Sequence, residues 1–346
     1  MRTVESTTAS SAVDGVDGVE VIMRRGGAGL RERMVRTERH LERVTARAGA
    51  PLAAFASATI RAGGKRLRPL LVVLAAESAG GPPRTVEGEQ RLVRAAAAVE
   101  LVHSATLVHD DLIDGAQLRR GRPTVAAVAG REVAVATGDL LFSLAFAELA
   151  RNDSPMQLRA LSDASSALAE GELLQREDAY ASDVAVERYL RRCELKTAAL
   201  FEAACRLGAL GACRGSRRLA DALGAFARRI GLAFQMLDDV LDVSGPVERT
   251  GKARGTDLLD GTVTLPLILA RERERELAAF DLASLGAPEH AEALCERIAA
   301  TGALDEARER ALGVVAEAKA ALPQTLPNGG SELLHLVADA VVERYR

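Results

Sequence analysis

Tryptophan is absent from the 346 residues, and all aromatic side chains together make up only 3% of them. A core without large rings must be filled by Ala, Leu, Val and Ile, which dominate the 48% of the chain that is hydrophobic. Ala and Leu are strong helix formers, while runs alternating β-branched and polar residues are scarce. The composition therefore predicts an almost wholly α-helical chain. No sign of charge dominates either: 45 basic and 48 acidic residues leave a formal net charge of −3. That lacks the basic excess of a general nucleic-acid binder and leaves room for local basic patches. No apolar run comes near the roughly 20 residues of a membrane span, and the N-terminus has no apolar core of a secretory signal. Cys193, Cys205, Cys213 and Cys295 are scattered, without CxxC or a His at zinc spacing. These absences predict a cytoplasmic protein with buried, reduced thiols.

The first 28 residues are rich in Ser, Thr, Gly and Val without period and read as a disordered tail. Gly26, Gly27 and Gly29 lack the Gly-Lys-Ser/Thr ending of a P-loop. From residue 29 to 346 one helical pattern follows another. Residues 87–114 predict a long helix stopped by Gly115, residues 131–151 another, with Phe142 and Phe146 one turn apart. Residues 184–209 and 216–243 predict two more. No long linker divides the series, so a single all-α domain is expected.

Acids stand out against this apolar background. Asp110, Asp111 and Asp114 lie in LVHDDLID, and Asp238, Asp239 and Asp242 repeat the spacing in FQMLDDVLD. Residues four apart share a helix face, so each cluster crowds carboxylates that repel one another and pay for desolvation. A hard divalent cation with oxygen ligands relieves both. One such cluster could be a solvated face; two, both in core-like surroundings, predict a metal and polyanion site between two helices. Basic residues supply the other half: Lys65, Arg66 and Arg68 in GGKRLRP, Arg119, Arg120 and Arg122 in RRGRPT, Lys196 in ELKTAALF, and Lys252 after the second cluster. Arg forks and Lys point charges suit phosphate oxygens. His103 and His109 share the first cluster's helix, where a satisfied core histidine is the commoner fate.

GGKRLRP, ELVHSATLVHDDLIDGAQLRRGRPT, KTAALF, FQMLDDVLD and GKARGTDLLDGTVTLP stand in the order and approximate spacing of the trans-isoprenyl diphosphate synthases, and the similarity runs over about residues 30–345. The resemblance implies a single-domain barrel of antiparallel helices around a deep central cavity, usually a homodimer. It also implies joining of isopentenyl diphosphate to an allylic diphosphate with two or three Mg²⁺ ions. On that resemblance Asp110, Asp114 and Asp238 hold metal, supported by Asp111, Asp239 and Asp242. Lys65, Arg68, His103 and Arg120 hold isopentenyl diphosphate. Arg119, Lys196, Thr197, Gln235 and Lys252 hold the allylic diphosphate. Gly261 is followed by Thr262 where many members carry Lys, which removes one phosphate contact.

Short-chain relatives place a bulky aromatic near the fifth residue before the first Asp. Here that position is Ala105, followed by Thr106. Small side chains there imply a long-chain product that partitions to membrane, and Ala105→Phe is expected to shorten it. A short-chain geranylgeranyl or farnesyl diphosphate synthase, a class I terpene cyclase and a subunit that needs a partner are the competing readings.

Overall fold

The computed structural model describes residues 18–245, 254–324 and 326–343; Lys252 lies outside them. The chain folds into an all-α bundle. Its first helix, α1 (Gly18–Arg25), sets Val19, Ile22 and Met23 on one stripe, and Ile22 is fully buried. That stripe packs on the last helix, α17 (Gly330–Glu343). The expected disordered tail is thus corrected over residues 18–28, which are helical or helix-linking; what orders them is a contact with the far end of the chain.

Next come α2 (Gly27–Ala46), α3 (Leu52–Arg61) and α4 (Leu67–Ser78). Almost every residue of α4 is buried, as expected of a helix that is apolar all round. The long helix α5 (Val86–Ile113) starts where the Thr85 side chain accepts from the Gly88 N–H at 3.0 Å. It stops at Gly115, which has a φ of +65°. A two-stranded hairpin pairs Leu118 with Pro123 and Arg119 with Arg122. Short α6 (Val125–Ala129) leads to α7 (Arg131–Ala150), which packs along α5.

The second half runs through α8 (Pro155–Glu177), α9 (Val186–Cys193), a π-helical turn at Glu194–Ala198, α10 (Ala199–Leu210) and α11 (Arg217–Ser244). Helix α11 is capped by the Ser216 hydroxyl, which accepts from the Leu219 N–H at 3.2 Å. At 28 residues each, α5 and α11 are about 42 Å long. Short α12 (Thr256–Leu259), α13 (Leu265–Arg273), α14 (Arg275–Ala278), α15 (Pro288–Ala300) and α16 (Ala303–Ala320) complete the bundle, α16 packing along α11. The core is built of Ala, Leu, Val and Ile with few rings; Tyr189, Phe201 and Phe226 are its largest fully buried side chains. Each such ring or Leu contributes about 1.5–3 kcal/mol by leaving water.

Two readings of the sequence change here. By length and composition α7 could cross a membrane, although less than half of it is buried. Its inner side lies on α5 and carries Leu141, Ala145 and Leu149 into the core. Of the cysteines, 193, 205 and 295 are buried free thiols, but Cys213 is exposed.

Candidate active site

Both acid clusters sit at the C-terminal ends of their helices. Asp110 and Asp111 occupy the last turn of α5, with Asp114 as its C-cap; Asp238, Asp239 and Asp242 occupy the last two turns of α11. A helix C-terminus carries partial negative charge, so the carboxylates stand where the backbone opposes them and cations must answer. Arg119 donates from the hairpin to Asp111, and Arg176 donates from α8 to Asp114. The hairpin turn consists of Arg120 and Gly121, with φ of +53° and +73°. Arg120 is a non-glycine residue in the left-handed region, held by its donation to the Gly63 carbonyl.

The two clusters converge. Asp114 and Asp239 line one polar hollow of about 180 Å³ together with Lys196, Thr197 and Gln235. Asp239 is buried; the Tyr189 hydroxyl donates to one oxygen at 2.7 Å and Gln235 Nε2 to the other at 2.8 Å. The Thr197 hydroxyl donates to Gln235 Oε1 at 2.8 Å. Burial, reinforced by Asp257, pushes the Asp239 carboxyl up to about 8. Asp238 and Asp242 are half-buried beside it, and Asp242 accepts from the Asp257 backbone N–H at 3.2 Å. Lys196 and Thr197 reach the hollow from the π turn, whose extra residue breaks the phase between α9 and α10.

Lys196 also lines a second, apolar cavity of about 360 Å³. Thr106, His109, Asp110 and Ile113 give it one face of α5, Phe142 faces it from α7, and Leu168 and Leu173 come from α8. Of the two expected chain-length positions only Thr106 is on this wall. Ala105 is fully buried in the core, because one residue along a helix turns the side chain about 100°. The His109 ring lies against α7 where residue 138 is Gly; a Cβ there would sit 2.1 Å from Nε2. Its centroid is 6.0 Å from that of Phe142. Asp110 lines this apolar cavity with Lys196, and burial, with Glu172 and Asp114 adding to it against Lys196, pushes its carboxyl up to about 6.

A third group gathers cations. Arg66, Arg68, Arg119 and Arg120 surround His103, and burial together with these charges holds its imidazole well below the usual range. Arg66 is ion-paired with Glu38 at 2.8 Å and Glu100 at 2.7 Å, so its charge is used within the fold. The Arg68 guanidinium lies 4.9 Å over the Phe201 ring. Its Nε is buried with no hydrogen-bond partner among the described residues. Burial lowers Arg68 to about 10, which leaves it charged at neutral pH. Lys65 is exposed. Crowded cations with an orphaned donor suit a polyanion. Among the described residues no three His, Cys, Asp or Glu side chains close on one point. The carboxylate oxygens of the two clusters are donors of the kind a hard divalent cation takes, one or two at a time beside water and phosphate oxygens.

The family model "Polyprenyl synthetase" matches residues 50–299. This chain belongs to that family. Over 72% of its length it is 39% identical to heptaprenyl diphosphate synthase component 2 of Geobacillus stearothermophilus, covering 76% of that protein. Over 82% of its length it is 37% identical to geranylgeranyl diphosphate synthase of Methanosarcina mazei, covering 87% of it. The solved polyprenyl synthase of Caulobacter crescentus, complexed with calcium and isoprenyl diphosphate, superposes with a TM-score of 0.85 at 35% identity. That match covers 95% of this chain and 98% of the other. The polyprenyl synthetase described here is therefore a transferase, a trans-prenyl diphosphate synthase using isoprenoid diphosphates. Its site also contains Tyr189, Glu172 and Arg176, which no motif named, and Asp257, which lies in GKARGTDLLDGTVTLP but was given no role. The signal for two of them was present, since Glu172 and Arg176 form an acid–base pair one turn apart.

Proposed function

We propose that the protein adds isopentenyl diphosphate to an allylic diphosphate, with Mg²⁺, and repeats the addition to a long-chain all-trans product. The observation that carries this is the meeting of Asp114 and Asp239 around Lys196, where an apolar cavity begins. Lys196, Thr197, Gln235 and Arg119 hold the allylic diphosphate. Lys65, Arg68, His103 and Arg120 hold isopentenyl diphosphate. Asp110, Asp114 and Asp238 hold the Mg²⁺, which when bound neutralises charge growing on the departing diphosphate. The cavity keeps water from the allylic cation while the double bond of isopentenyl diphosphate attacks it and a proton leaves. Thr106, a small side chain on the cavity wall, supports the longer product; Phe142 on the same wall supports a shorter one. Purified protein with Mg²⁺, farnesyl diphosphate and labelled isopentenyl diphosphate should give products longer than geranylgeranyl diphosphate. Unused isopentenyl diphosphate would refute the reading, whether the protein is a cyclase or a subunit that needs a partner.

The same reading includes a cytoplasmic homodimer whose product moves to membrane. The outer side of α7 carries Val135, 38% exposed, among small exposed residues such as Ser143 and Ala147 that let a second helix approach. Sedimentation should give twice the 36.5 kDa chain mass, and Ser143→Arg should shift it toward monomer. A wild-type monomer would remove this part.

A further inference from the structure

Helix α8 touches Lys196 at both ends of the residue. A Cβ on Gly171 would lie 2.6 Å from the Lys196 backbone nitrogen, so α8 and the π turn meet backbone to backbone. The next residue, Glu172, accepts from Lys196 Nζ. Its other oxygen accepts from Arg176 Nε at 3.0 Å, and Arg176 also donates to Asp114. An unbroken chain, Asp114–Arg176–Glu172–Lys196, therefore links the acid turn of α5 to the π turn. Only 15% of the Glu172 side chain is exposed. Burial works to raise its carboxyl, and Lys196 and Arg176 outweigh it, so the group stays ionised.

A flexible lysine at the mouth of a polyanion site has many rotamers that miss the ligand, and fixing one costs entropy. An ionised partner that is itself fixed removes that cost in advance. We propose that Glu172, seated by Arg176, is the positioning residue for Lys196 and so sets the affinity of the allylic-diphosphate side of the site alone. The inference rests on the prenyl-transfer reading given above. Isopentenyl diphosphate meets the Arg68, His103 and Arg120 group, which Glu172 does not touch.

Glu172→Gln keeps size and hydrogen bonding but loses the charge. It should raise KM for farnesyl diphosphate about tenfold, a typical effect of losing a hydrogen bond to a charged group, and leave KM for isopentenyl diphosphate unchanged. Titration with inorganic pyrophosphate and Mg²⁺ should weaken by the same factor. Arg176→Gln should act in the same direction, and the double variant should lose less than the product of the two single losses. Equal rises in both KM values, or none with unchanged pyrophosphate binding, would overturn the proposal. If wild type makes no prenyl product, the underlying reading fails instead, and the pyrophosphate titration still judges Glu172.

Discussion

Asp110→Asn should cut kcat about a thousandfold while making the ligand-free protein more resistant to heat at pH 8. The two effects have one cause. Asp110 lines the apolar cavity beside Lys196, and burial raises its carboxyl to about 6 from an ordinary value near 3.8. Above pH 6 the folded protein therefore carries an ionised carboxylate that its surroundings disfavour. The sign follows from linkage: protonation relieves the cost, so this group's penalty is full above about pH 6, shrinks as pH falls through 6, and is gone below 3.8. Asparagine never pays it, so the melting temperature should rise at pH 8 and hardly change at pH 4. The same carboxylate is what a divalent cation and a departing diphosphate need, and losing one such electrostatic contact typically costs about a hundredfold to a thousandfold in rate. A variant that keeps more than a tenth of wild-type kcat would show that Asp110 does not hold the metal.

The second large effect concerns product size. Thr106→Phe should stop chain growth early, because a ring at this position projects into the apolar cavity beside Asp110. Phe142→Ala should do the reverse and lengthen the product, since Phe142 faces the same space from α7. Ala105→Phe, the substitution that the sequence alone suggests, has a different expected outcome. Ala105 is fully buried among core side chains, so the ring overpacks the interior, at about 1–3 kcal/mol, without flooring the cavity. Chromatography of the dephosphorylated products decides between these positions. Shortening by Ala105→Phe with no effect of Thr106→Phe would reverse the assignment.

That contrast marks how far a sequence can be read. Helical periodicity located α5, α7 and α11 to within a residue or two, and the crowding of acids on apolar helices pointed to a shared site. Asp114, Asp239, Lys196, Thr197 and Gln235 do line one hollow. What stayed hidden depends on rotation or on distant contacts. One step along α5 separates a wall residue, Thr106, from a core residue, Ala105. The helical state of residues 18–25 comes from packing on α17, with only eight residues of its own to stabilise it. Residues 184–209 read as one helix, yet a π turn divides them at Glu194–Ala198, because five residues carry no signal for one residue more per turn. Arg66 looked as available to phosphate as Arg68, and only the fold reveals that Glu38 and Glu100 hold it.

The π turn has a geometric corollary. Were the same residues to run as an ordinary helix with none removed, everything before 194 would be swung by about 100° relative to α10. Tyr189 would then leave Asp239, and Arg192 would leave Asp178 and the Val263 carbonyl. The one-residue excess of the π turn thus keeps the second acid cluster's supports in place without supplying any residue of the cluster itself.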